Sequence, residues 1–178
     1  MDPDRSTPVR RQRLAAYTLL MRTDELLLTQ LAASTTAAGR WTLPGGGVDH
    51  GKDPRDTVVR EAYEETGLHV RVGALLGSMS VHFEGTSPSG VCEDFHAVRL
   101  VFAGSVPAGA PQPRVIERGG TTVAARWQPI DDVTSGALES VDLVPAGLQM
   151  LSCLTDRWRE TARSYGIALP RDHDEMPT

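Results

Sequence analysis

The chain has 178 residues, 40% of them hydrophobic, with a net charge of −5 and a pI near 5.5, which is enough to build one core of common domain size and too acidic for a broad surface that binds long nucleic acid. Two cysteines, Cys92 and Cys153, are too few for a disulfide framework and lack metal-site spacing, so both are expected as buried free thiols. No apolar run approaches the roughly 20 residues of a membrane helix and residues 1–13 hold no leader-like apolar stretch, which predicts a cytoplasmic protein.

Lys52 is the only lysine and asparagine is absent, a bias that points to a GC-rich, bacterial genome. Residues 1–10 read as a mobile tail, residues 11–168 as a single domain and residues 169–178 as a second tail. Two apolar runs, Leu14–Met21 and Glu25–Leu31, flank the polar turn Arg22-Thr23-Asp24 and predict a hairpin. A surface loop follows from Ala32 to Gly39, and Trp41-Thr42-Leu43 makes a short strand into Pro44 and three glycines. A helix from Pro54 to Thr66 has clear ends: Asp53 to cap it, Pro54 at its first position, Asp56 in the first turn and Gly67 as a left-handed stop. Val59, Ala62 and Thr66 are expected to form its buried side, away from Glu61 and Glu65.

Beyond the helix, His69–Val72 and Met79–Glu84 alternate as half-buried strands, and the loop 85–90 turns the chain into a strand from Cys92 to Ala103. After the Pro, Ala and Gly-rich segment 106–113 come a strand at Thr122–Gln128 and a short helix opening at Pro129. Val144, Leu148, Leu151, Trp158 and Tyr165 recur at helical spacing, predicting a long amphipathic helix from Asp142 to Gly166. Strands interspersed with two substantial helices give an α+β class, with a mixed sheet between helices in an α/β/α sandwich.

On the central helix Glu61, Glu64 and Glu65 stand at i, i+3 and i+4, neighbours whose like charges repel by roughly 0.2–0.5 kcal/mol per pair. A cation is expected there, and grouped carboxylates are hard oxygen ligands suited to Mg²⁺. Arg60 is placed to bind these carboxylates with its two-pronged guanidinium.

Taken with its spacing, this stretch is Gly46, five residues, Lys52, seven residues, then Arg60-Glu61-Ala62-Tyr63-Glu64-Glu65-Thr66-Gly67-Leu68. It resembles the Nudix box: glycine, five residues, glutamate, seven residues, Arg-Glu-aliphatic-any-Glu-Glu-any-Gly-aliphatic. The strand ending in Leu43-Pro44-Gly45-Gly46-Gly47 and the pair Arg126-Trp127 before Pro129 are also similar to that family. The resemblance covers roughly residues 13–155 and implies the Nudix fold, with the box as a loop, helix and loop that holds metal. It implies a Mg²⁺-dependent hydrolase, with Mn²⁺ as a substitute, cleaving a phosphoanhydride in a nucleoside diphosphate linked to another moiety, such as a nucleoside triphosphate or nucleotide sugar. Glu61, Glu64 and Glu65 are its candidate ligands, with the Gly45 carbonyl added by resemblance, and Arg60, Glu61 and Glu64 its candidate catalytic groups. Family habit also makes a homodimer an expectation.

The match departs at Lys52, which stands where the box has its first glutamate; a lysine there can bind substrate phosphate or point into solvent. Val123-Ala124-Ala125 replaces acids often found before the arginine-tryptophan pair, so the general base is open between Glu61, Glu64 and one of Glu84, Glu93 and Glu117. Candidate substrate contacts are Lys52, Arg40, Arg99, His82 and Phe83, with Arg22 and His96 as further possibilities. Phe83 has a face for stacking on a base, although an alternating strand ordinarily places it in the core. The rival reading is a Nudix domain with weakened turnover that binds a nucleotide or a partner protein.

Overall fold

The computed structural model describes residues 7–87 and 90–164, with side chains to residue 157. The Trp158 side chain, Tyr165, Gly166, residues 1–6 and the C-terminal tail lie outside what is described. Seven strands and three helices follow in the order β1 (Val9–Arg22), β2 (Glu25–Leu31), β3 (Trp41–Thr42), β4 (Gly45–Gly47), α1 (Pro54–Thr66), β5 (Arg71–Thr86), β6 (Cys92–Ser105), β7 (Thr122–Pro129), α2 (Ile130–Thr134) and α3 (Leu143–Ser164). The strands form one mixed sheet in the order β3-β2-β1-β6-β5, with β4 added beside β1 and β7 beside β2. This is the α+β sandwich expected from the sequence.

β1 begins at Val9, inside the stretch expected as tail, and it is not mainly a hairpin partner. It pairs with β2 only at Met21–Leu26 and Arg22–Glu25. Instead it runs parallel to β6 from Val9–Glu93 to Leu20–Gly104, while its middle pairs antiparallel with β4. The reason is burial on both faces: Ala15, Ala16, Leu19 and Leu20 are all buried, which suits a central strand better than one arm of a ribbon. Likewise, the two strands expected between His69 and Glu84 are one strand, β5, with irregular pairing between Val72 and Gly77.

Alternation along β1 divides the core in two. Ala16 and Leu20 pack with Val58, Ala62, Leu68 and Phe102 under α1. Leu19 packs on the other face with Val101, Leu143 and Val144, the last two from α3. Met150 of α3 lies against Gly77, where an added Cβ would stand 3.0 Å from its side chain. Removing a large side chain such as Leu19 or Val144 from this core costs about 2–5 kcal/mol. Both cysteines are free, as expected, but exposed rather than buried. No helix among the described residues is long and apolar enough to cross a membrane.

Candidate active site

The ends of α1 are as the residue types dictate. The Asp53 carboxylate accepts from the Arg55 N–H at 2.7 Å, Pro54 opens the helix, and Gly67 (φ +69°) closes it with its N–H on the Tyr63 carbonyl at 2.8 Å. The chain then supplies the remaining carbonyls with donors from a distant loop. Arg114 N–H reaches Thr66, and Ile116 and Glu117 N–H groups both reach Glu64. That loop brings the Glu117 carboxylate to the acidic end of the helix.

The buried side of α1 differs from the expectation. It consists of Thr57, Val58, Ala62, Glu65 and Thr66, while Val59 is exposed. Glu65 is therefore turned inward, 5% exposed, where its Oε2 accepts the Gly45 N–H at 3.0 Å and its Oε1 accepts the Thr122 hydroxyl at 2.5 Å. Burial raises its pKa to about 7; the bonds from Thr122 and Gly45 oppose the shift, and the charges of Glu61 and Glu117 add to it. Burial likewise raises Glu61, Arg60 opposes the rise, and Glu64 and Glu117 reinforce it.

Arg60 spans the exposed side, donating from Nη2 to Glu61 Oε1 and from Nη1 to Glu64 Oε2, both at 2.7 Å. The pair with Glu64 is thus part of a fork that also aligns Glu61. One oxygen of each carboxylate stays outside these bonds. Glu61 also explains Gly46: a Cβ there would stand 2.6 Å from Glu61 Oε1. Gly46 lies in β4 without a positive φ, so its role is close approach rather than turn geometry. The turn is at Gly45 (φ +144°), packed against Tyr17.

Among the described residues no three His, Cys, Asp or Glu groups already stand at metal-binding spacing. Arg60 holds one oxygen each of Glu61 and Glu64, while both Glu65 oxygens are held inside by Gly45 and Thr122. The donor set nevertheless fits a hard divalent cation: carboxylates supply every anionic oxygen, and Glu65 is hydrogen-bonded only to neutral donors. A buried carboxylate with no cationic partner is costly to ionise, and a cation removes that cost.

The other residues singled out from sequence are dispersed. Lys52 is exposed, with no hydrogen bond or ion pair from its side chain among the described residues. Arg40 donates to the Ser140 carbonyl at 2.7 Å, a link between β3 and the segment before α3. Arg22 pairs with Glu25 and lies over Trp127. His82 Nε2–H donates to the Asp94 carboxylate at 2.5 Å and its ring meets His96 edge-on, in an open cavity of about 430 Å³ shared with Arg10, Arg11 and Gln12. Strand alternation places His82, Asp94 and His96 on the opposite face from Phe83 and Arg99. Phe83 is not core: it is 52% exposed and packs its ring against Phe95 at 5.3 Å. Of the three acids named as base candidates beside Glu61 and Glu64, Glu93 pairs with Arg11 and Glu84 lies opposite Asp94 in β5, whereas Glu117 lies within the field of Glu61 and Glu65.

Sequence reasoning missed Thr122, Tyr17 and Arg13. Thr122 opens β7, and nothing local marks its partner. Tyr17 and Arg13 lie within and beside an apolar run that reads only as core, yet β1 carries them to the glycine strand: Tyr17 pairs with Gly45, and the Arg13 guanidinium lies over Gly47.

Comparison with known proteins agrees with this geometry. Short stretches match curated relatives: 56 residues are 43% identical to mouse diphosphoinositol polyphosphate phosphohydrolase 3-alpha, covering 32% of each chain. A stretch of 42 residues is 52% identical to the RNA pyrophosphohydrolase of Bartonella quintana, covering 23% of this chain and 24% of that one. The chain thus spans only about a third or less of the curated relatives' lengths. Among solved structures, a NUDIX hydrolase from Nitrosomonas europaea superposes with a TM-score of 0.59 at 22% identity, over 80% of this chain and 90% of that one. The MutT protein of Methanosarcina mazei does so with a TM-score of 0.59 at 21% identity, over 82% and 96%. These two likenesses show the fold. A family model described as a NUDIX domain matches residues 11–146, most of the chain, and the chain belongs to the Nudix family.

Proposed function

We propose that the chain hydrolyses a phosphoanhydride bond in a nucleoside diphosphate linked to another moiety, with Mg²⁺ held by Glu61, Glu64, Glu65 and the Gly45 carbonyl. The observation that carries this reading is the inward Glu65, buried beside Gly45 within the field of Glu61 and Glu117. A cation removes the cost of ionising such a constellation. The relatives named for pyrophosphohydrolase and phosphohydrolase activity support the same reaction class.

When bound, the divalent ion neutralises charge on the phosphoryl oxygens. The chain's residues supply the rest. Arg60 holds Glu61 and Glu64 in one orientation, so little reorganisation accompanies substrate binding. Gly46 leaves room for Glu61 against β4. Glu117 is the proposed general base: its loop is fixed to the end of α1 by backbone bonds to Glu64 and Thr66, and it can take the proton of an attacking water oriented in line with the leaving group. Lys52, at the rim before the helix, is assigned to solvent or to the substrate's outer phosphates.

The test is a panel of nucleoside triphosphates and nucleotide sugars with Mg²⁺ or Mn²⁺. Phosphorylated products are expected with the wild type and a loss of about 10²-fold or more in Glu65→Gln. Robust turnover in excess chelator sinks the metal role. Tight nucleotide binding without product over hours, unrescued by Lys52→Glu, assigns a binding domain instead; a solved NUDIX domain complexed with ADP ribose, from Shewanella oneidensis NrtR, superposes with a TM-score of 0.54 at 17% identity over 86% of this chain and 94% of that one.

A further inference from the structure

Arg13 and Arg99 are brought together by the sheet. β1 and β6 run parallel with Arg13 beside Ala97 and Ala15 beside Arg99, so the two arginines are diagonal neighbours on one face. Ala15 in turn pairs with Gly47, and the Arg13 guanidinium covers that glycine so closely that a Cβ there would collide with it. The face is the one opposite to α1. Glu61 therefore approaches β4 at Gly46 from one side, and Arg13 approaches the next residue, Gly47, from the other.

Part of the arginine set on this surface is already paired. Arg10, Arg11 and Arg22 each face a carboxylate, and Arg60 faces two. Among the described residues neither Arg13 nor Arg99 has a carboxylate within ion-pair distance or a hydrogen bond to a carbonyl. Arg13 is exposed and Arg99 half-buried. Tyr17 lies on the same face of β1 as Arg13 and pairs with Gly45, whose N–H donates to Glu65, so the arginines and the acidic cluster meet at β4.

Two guanidiniums with unspent donors match a phosphoryl group, whose oxygens accept in the same fork geometry. We propose that Arg13 and Arg99 clamp a phosphoryl group beyond the two held at the carboxylate cluster, so that the preferred substrate carries three or more linked phosphoryl groups rather than a diphosphate sugar. This rests on the phosphoanhydride reading of the same site. The scissile diphosphate is held at Glu61 and Glu65, and the next phosphoryl group reaches over β4 to the arginines.

Calorimetry with saturating Mg²⁺ tests the clamp, with inorganic tripolyphosphate and pyrophosphate as probes. Wild type is expected to bind tripolyphosphate at least tenfold more tightly than pyrophosphate. Arg13→Ala/Arg99→Ala abolishes that difference, whereas the distant Arg10→Ala retains it. In steady state with Mg²⁺, the double variant raises KM for a nucleoside triphosphate at least tenfold with little change in kcat, and leaves ADP-ribose nearly unaffected. Each arginine is also replaced singly, with circular dichroism verifying the fold. Unchanged tripolyphosphate binding in the double variant, or equal losses for both probes, overturns the proposal. Absence of turnover with every nucleotide, beside intact arginine-dependent binding, overturns the hydrolase reading and leaves the clamp standing.

Discussion

Glu65 sets chemistry against folding. Its folded pKa of about 7 lies above the ordinary 4.5, so the folded chain holds this proton more tightly than the unfolded chain does. Below about pH 4.5 the carboxyl is protonated in both states and its contribution to stability is full; as pH rises through about 7 that contribution is lost, by up to roughly 3 kcal/mol. Metal-free Glu65→Gln is therefore expected to melt higher than metal-free wild type at pH 8, and to lose the advantage near pH 4, while being inactive throughout. Thermal melts in chelator at the two pH values check this, and a variant less stable at pH 8 contradicts the assigned burial cost. Gly46→Ala makes the complementary case. The added methyl meets the Glu61 carboxylate, so kcat is expected to fall by 10-fold to 100-fold with the circular dichroism spectrum preserved; an unaltered kcat shows that Glu61 has another workable position.

At the scale of elements, α1 is the part most fully legible beforehand, because caps and glycine stops act within a few residues. Asp53, Pro54 and Gly67 all take the roles their chemistry predicts. Asp53→Ala is expected to cost about 1 kcal/mol, or about 2–4 °C in Tm. Its effect on kcat is small, since the glutamates occupy the opposite end of the helix; a large kcat loss in a folded variant indicates that the first turn touches substrate. β1 shows the contrary case. Its apolar run predicts a strand correctly, and the short polar turn predicts contact with β2, yet most of its hydrogen bonds go to β6 and β4. Periodicity reports which side of a strand is buried but carries no information about its neighbour. Val59 and Glu65 were misplaced for a related reason: the buried arc of α1 is set by where β1, β4 and β7 lie, and β7 provides Thr122 as a partner for a carboxylate.

For the molecule as a whole, a bound divalent cation links the site to stability. Mg²⁺ at a hundredfold excess over its Kd is expected to stabilise the fold by about 2.7 kcal/mol. The resulting rise in Tm should vanish in Glu65→Gln, and a wild-type Tm indifferent to saturating Mg²⁺ removes the cation from the folded site. What the sequence by itself determined is local and patterned: the helix with its caps, the alternating strands, the spacing from Gly46 to Gly67 and hence the family. The tertiary structure alone decided that Glu65 is the inward carboxylate, that Glu117 rather than Glu84 or Glu93 joins it, and that Arg13, Tyr17 and Arg99 gather beside the glycines. Those contacts join residues dozens of positions apart, and strand pairing with its register, which no short stretch of chain encodes, is what brings them within reach.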